Sequence, residues 1–190
     1  MASKPDLSNL LPEETVIAGP FYLFNKSFEI TYFNPHPARN ASVLMRARYI
    51  SSHLETQLGK KYAQTPPLHL HFSQAESFVV LEGRCGGTEG YDLIDRVWLK
   101  GDGVQTLQPW NPHTFWPVAK QSHLGTGSEK EREEDGVLLV WAHPKVPGLK
   151  GEGVFPPSMD WMFFQSLLGN VSDVHEKKAK MDVPHLMLMQ

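Results

Sequence analysis

The sequence predicts an all-β fold, an antiparallel sandwich or barrel, with a short helical extension at its C-terminal end. Short segments rich in β-branched and aromatic residues recur between residues 16 and 142, and turn-forming clusters separate most of them. Fifteen Gly and 15 Pro in 190 residues favour short strands and turns over long helices. A hydrophobic content of 41%, with ten Phe, five Tyr and five Trp, is enough to fill a core. The length fits a single domain with appendages.

In chain order, the predicted strands are 16–24, 28–33, 43–50, 68–72, 77–81, 91–100, 104–107, 113–118 and 137–142. The turn signals between them are Asn34-Pro35-His36-Pro37, Thr65-Pro66-Pro67, Gly86-Gly87 and Gly101-Asp102-Gly103. Residues 120–136 hold Gly125-Thr126-Gly127-Ser128 and then a charged run from Glu129 to Asp135, with no apolar pattern to bury, and read as a mobile, solvated loop. Past the last strand, Ser158 is placed to cap a helix whose Met159, Met162, Phe163 and Leu167 share one face, with Gly169-Asn170 as its stop. The chain thus divides into an arm (1–15), a barrel (16–148) that includes the acidic loop, and a helical cap (149–190).

Charge and cysteine usage exclude several classes. A net charge of −3 leaves no cationic excess to displace counterions from phosphates, so a nucleic-acid binder is not expected. One cysteine, Cys85, allows no intrachain disulfide and fits a reducing compartment. No apolar run approaches the ~18–20 residues that span a bilayer, and the first residues lack a signal-peptide core. The expectation is a soluble, cytoplasmic protein with a small-molecule substrate.

The chemistry concentrates in Pro67-Leu68-His69-Leu70-His71-Phe72-Ser73-Gln74-Ala75-Glu76, followed by Gly83. Along a strand, alternate side chains share a face, so His69 and His71 point the same way. A turn over 72–75 returns Glu76 to them, with Phe78 and Val80 on the face of Glu76. Downstream, Pro109-Trp110-Asn111-Pro112 delivers His113 at the start of another strand. Three imidazoles and a carboxylate form a mixed N/O donor set for one divalent transition metal. On an octahedral ion they leave two positions for water, substrate or O₂. For this composition the pattern H-x-H-x4-E-x6-G arises by accident about twice in a thousand sequences, before the later histidine is counted.

This stretch resembles the first signature of the cupin superfamily, G-x5-H-x-H-x3-4-E-x6-G, and the stretch from Gly103 resembles the second, G-x5-P-x-G-x2-H-x3-N. The two occupy residues 63–117. Ala63 stands where the leading glycine would be, His113 comes one residue early after Pro109 with no glycine before it, and Pro117 replaces the final asparagine. The four ligand positions, His69, His71, Glu76 and His113, are all kept. The resemblance implies a double-stranded β-helix, the small jelly-roll barrel, with a metal inside one end and a homodimeric assembly. Its length and C-terminal helix are similar to stand-alone cupins of fungal small-molecule biosynthesis.

The candidate substrate contacts are Phe78, Val80, Phe115, Arg46, Arg48 and Trp141. Arg46 and Arg48 hold an acidic group if their face of the strand is interior; with Met45, Ala47 and Tyr49 inward they are solvated instead. His143 reads as a rim histidine, and Cys85 lacks the neighbours of a nucleophile. The leading functional reading is an Fe(II) oxygenase acting on a small aromatic or polyketide-like metabolite, with Mn, Ni, Zn, Cu and Co as the other candidate metals. The alternatives are a redox-neutral isomerase, cyclase or decarboxylase that uses the metal as a Lewis acid, and a metal and small-molecule binder without turnover.

Overall fold

The computed structural model describes residues 10–72, 74–119, 134–143 and 161–180. Its strands are β1 (Val16–Leu23), β2 (Phe28–Phe33), β3 (Val43–Tyr49), β4 (Glu76–Glu82), β5 (Arg84–Glu89), β6 (Ile94–Leu99), β7 (Gln105–Leu107), β8 (His113–Pro117) and β9 (Gly136–Ala142), followed by helix α1 (Trp161–His175). They form a six-stranded sheet, ordered β1-β2-β3-β9-β4-β7, and a three-stranded sheet, ordered β6-β5-β8. All pairs are antiparallel. The last strand, β9, lies between β3 and β4, the non-sequential crossover of a jelly roll.

The two-residue period of the strands sorts their side chains between two clusters. Ile30, Tyr32, Val43, Ala47, Tyr49, Phe78, Val80, Leu138 and Val140 of the large sheet pack with Cys85 and Trp98 of the small sheet, which defines the interior. The alternate positions, Phe33, Leu44, Val79, Leu81, Val137, Leu139 and Trp141, form a second cluster on the opposite face of the large sheet. Cys85 is fully buried among these groups; burial pushes its thiol far up, which leaves it no nucleophilic role.

Four expectations change. Gly86-Gly87 is not a turn but the middle of β5, and the predicted strand over 91–100 begins only at Ile94. Two indoles explain the glycines: a Cβ on Gly86 would lie 2.1 Å from the Trp116 ring and one on Gly87 2.6 Å from the Trp98 ring. The segment 68–72 is not a full strand; it makes one antiparallel bridge, His69 to His113. Residues 55–61 form a 3-10 segment, Glu55–Lys61, that the turn signals did not reveal.

The fourth is the helix, which runs past the expected stop at Gly169-Asn170 to His175. A mid-helix glycine costs about 1 kcal/mol, and contacts beyond it offset that cost. Val171 packs on the core, and Ser172 Oγ accepts the Phe24 backbone N–H at 2.7 Å. That donor is left over by a β1–β2 turn in which Phe24, Asn25 and Lys26 all have positive φ. The packed face is Trp161, Phe164, Leu168 and Val171, while Met162 is 55% exposed, so the face predicted from Met162 and Phe163 is displaced by a residue or two. Ser158 and Met159 lie outside the described residues, as do residues 120–133 of the acidic loop. At that loop's end, Asp135 accepts from Arg48 Nε at 2.7 Å and from the Ser51 backbone N–H at 2.8 Å. No helix among the described residues is long and apolar enough to cross a membrane.

The arm is tied down by one buried carboxylate. Glu14 accepts from Arg39 Nη2 at 2.9 Å, from the Leu11 N–H at 2.7 Å and from the His36 N–H at 3.2 Å. Burial raises its pKa, but these hydrogen bonds and the Arg39 charge outweigh that and hold it below the ordinary value. Its contribution is therefore present above the unfolded-state value, ~4.3, and lost as pH falls through the lower folded value. Glu14→Gln is expected to cost about 2 kcal/mol at neutral pH. The gap from wild type should close as the solution is acidified below pH ~4, measured by urea denaturation across pH; a pH-independent gap would contradict this.

Candidate metal centre

The bridge between His69 and His113 builds the centre. His69 N–H donates to His113 O at 3.1 Å and His113 N–H to His69 O at 2.8 Å, which lays the His69–His71 segment alongside β8 as an extra edge of the small sheet. Trp110 N–H, donating to His71 O at 2.8 Å, fixes the second histidine. Glu76 arrives from the facing sheet as the first residue of β4. His69, His71, Glu76 and His113 each offer one ligand atom, and these atoms lie within 4.8 Å of one another. The ring centroids are 4.5 Å apart for His69–His113, 5.2 Å for His69–His71 and 5.3 Å for His71–His113.

Backbone carbonyls fix the tautomers. His69 Nδ1 lies 2.9 Å from Pro67 O and His113 Nδ1 lies 2.8 Å from Asn111 O. A carbonyl only accepts, so each Nδ1 carries the proton and, in the neutral ring, each Nε2 keeps a lone pair. His113 Nε2 is buried without a hydrogen-bond partner, 3.6 Å from Glu76 Oε2. An orphaned buried lone pair beside a carboxylate is costly unless something cationic fills the gap. The donor set thus fits a divalent metal.

The electrostatics agree with that fit. Burial raises the Glu76 pKa, but the adjacent His113 and His71 imidazoles outweigh it and hold the carboxyl at about 2, so it is ionised. Burial and the neighbouring imidazoles keep His69 toward its neutral, ligating form. Burial also lowers His113, but the neighbouring Glu76 carboxylate wins, and its pKa is raised. The carboxylate attracts positive charge to this point.

An aromatic floor adjoins the ligands. Phe78, fully buried, meets Phe115 edge-on at 4.9 Å and Trp98 at 4.8 Å, and Phe115 lies 6.0 Å from the His113 ring. Phe78 and Phe115 therefore stand where the sequence places them, and Trp98 is an addition. The sequence alone assigns Trp98 no role, because the two glycines that admit the indoles read as a turn. Val80 shares their face but lies four residues beyond Glu76, about 13 Å along the strand, where it packs in the closed core.

Three candidate contacts do not reach the centre. Arg46 and Arg48 project from the face of β3 opposite Met45, Ala47 and Tyr49. Arg46 Nη2 bonds Glu29 Oε1 at 3.0 Å, and Arg48 bonds Asp135 and Glu29. Trp141 lies on the same outer face, under the Arg39 guanidinium at 4.8 Å. Strand alternation places these three side chains away from the interior, because the apolar partners at the alternate positions fill it. His143 also lies apart from the ligands, with Nε2 2.8 Å from Ser77 Oγ.

Two antiparallel sheets in jelly-roll order, with H-x-H and a later histidine on one and the glutamate on the other, decide the fold. This is a cupin fold. No family model matches the chain. It is 29% identical over 178 residues to "Probable oxidoreductase virH" of Hypocrea virens, covering 94% of this chain and 70% of that protein. It is 31% identical over 85 residues to "Oxidoreductase OpS7" of Beauveria bassiana, covering 44% of this chain and only 27% of that protein. The cupin domain of Schizosaccharomyces pombe Cnp3 superposes with a TM-score of 0.41 at 12% identity, over 63% of this chain and 66% of that one. At that level of superposition, the cupin assignment stands on this chain's own strand order and signature residues.

Proposed function

We propose that this cupin is a metal-dependent oxidoreductase, an Fe(II) oxygenase of small aromatic or polyketide-like molecules, with His69, His71, Glu76 and His113 as its metal ligands. The observation that carries the reading is the buried, partnerless Nε2 of His113 facing an ionised Glu76, a gap shaped for a cation. The oxidoreductase names of the two curated relatives favour redox chemistry over a Lewis-acid role.

When bound, a redox-active ion would supply the electrons for O₂ chemistry. Glu76 offsets one positive charge, and Pro67 O and Asn111 O hold two imidazoles in register by fixing their Nδ1 protons. Phe115, part-exposed beside the His113 ring, offers the ring surface against which a planar substrate stacks, while the buried Phe78 and Trp98 back it and exclude water. Few polar groups on that floor satisfy a sugar's hydroxyls, which favours an aromatic ligand.

The test uses protein purified without added metal. Elemental analysis is expected to give one transition metal ion per chain, with iron the ion that supports turnover. The iron-loaded protein is then screened in an oxygen electrode against small phenols and aromatic acids. O₂ uptake is expected to require both iron and a particular compound, and to vanish in His71→Ala. Conversion of the same compound in an anaerobic chamber would contradict an oxygenase.

A further inference from the structure

The register of the small sheet continues the metal centre sideways. His69 opposes His113, His113 opposes Glu89, and Glu89 opposes Ile94, so the bridged His69 and strands β8, β5 and β6 carry these side chains as one row on one face. In the adjacent row Phe115 opposes Gly87, and Gly87 opposes Arg96. Since Phe115 packs on the interior cluster, Arg96 shares that inner face. Directly opposed residues on one face have Cβ atoms about 5 Å apart. The Glu89 carboxylate is therefore the charged group that follows His113 along the row.

Arg96 Nε and Glu89 Oε1 form an ion pair, with the Arg96 side chain 55% exposed and that of Glu89 22% exposed. Ile94, at the far end of the row, is 51% exposed, so the row runs from the ligands to solvent. Among the four arginines on described strands, Arg46 and Arg48 face outward. Arg84 alternates with Gly86 and Thr88 on the side of Trp116. Arg96 alone shares the face of the ligands. A guanidinium offers five N–H donors in a planar fork, more than one carboxylate oxygen can use, and Glu89 orients it in advance.

We propose that Arg96, oriented by Glu89, anchors a carboxylate of the molecule that reacts at the metal centre, and so selects aromatic acids over neutral aromatics. This rests on the proposed metal centre and deepens it. The acid-binding role that the sequence offered to Arg46 and Arg48 thereby falls to a residue on the correct face.

The probe is benzoate, with benzamide as its neutral counterpart, titrated calorimetrically into Zn(II)-loaded protein, whose ion is redox-inert. Metal content is measured on each sample. Wild type is expected to prefer benzoate. Arg96→Gln should weaken benzoate about ten- to a hundredfold, the loss of a charge-assisted hydrogen bond, at unchanged metal content and unchanged benzamide affinity. Arg96→Lys should recover part of the loss. Wild-type benzoate affinity in metal-replete Arg96→Gln, or no benzoate binding or preference in wild type, overturns the anchor alone. A wild-type protein that takes up no zinc removes the centre, and the anchor with it.

Discussion

Replacing His113 by alanine is expected to lower metal affinity by more than a hundredfold, so that protein purified without added metal carries almost none. Removing only the group that orients a ligating histidine costs ten- to a hundredfold, and this change removes the ligand itself. The fold should survive. The bridge that holds His69 beside β8 is made by backbone atoms, His69 N–H to His113 O and His113 N–H to His69 O, and both remain in the variant. The deleted ring includes a buried nitrogen without a hydrogen-bond partner, so its loss removes a cost along with its packing. Elemental analysis paired with thermal denaturation of the metal-free forms checks both statements. A metal-replete variant would show that the ion binds elsewhere.

Phe78→Ala is expected to destabilise the protein by about 3–5 kcal/mol, the range for deleting a fully buried phenylalanine. Phe78 has 0% exposure and joins the sheets by meeting Trp98 and Phe115, both of the small sheet. Little can collapse into the void, because the indole of Trp98 is confined over Gly87. The metal ligands should be spared: Glu76 is held by backbone pairing with Leu107 and Ala142 on either side. Urea denaturation of the metal-free protein gives the loss, and a value under 1 kcal/mol would mean that Phe78 does not tie the sheets together.

The convergence of His69, His71, Glu76 and His113 was legible because the strand period, the short H-x-H to glutamate spacing and the later histidine are local patterns. Each places a side chain on a known face. The sequence also implied the antiparallel class and most strand positions, since Pro, Gly and Asn punctuate them. What it hid depends on contacts between distant segments. Gly86-Gly87 reads as a turn until Trp116 and Trp98 are known to need the space above it. Gly169 reads as a helix stop until Phe24 is known to bring its unpaired N–H to Ser172. Alternation alone could not say whether Arg46 and Arg48 or Met45, Ala47 and Tyr49 face inward, because either set makes a regular strand. The packing of Ala47 and Tyr49 with Phe28, Ile30 and Leu138 settles it. Arg96 was invisible for the same reason: its face follows from the register of β5 against β6 and β8.

X-ray absorption at the iron edge of the iron-loaded protein is the most direct measurement of the central claim. Three imidazole ligands and one carboxylate are predicted, with imidazole scattering reduced in His71→Ala. Iron surrounded by water and carboxylate oxygens alone, without histidine scattering, would contradict it.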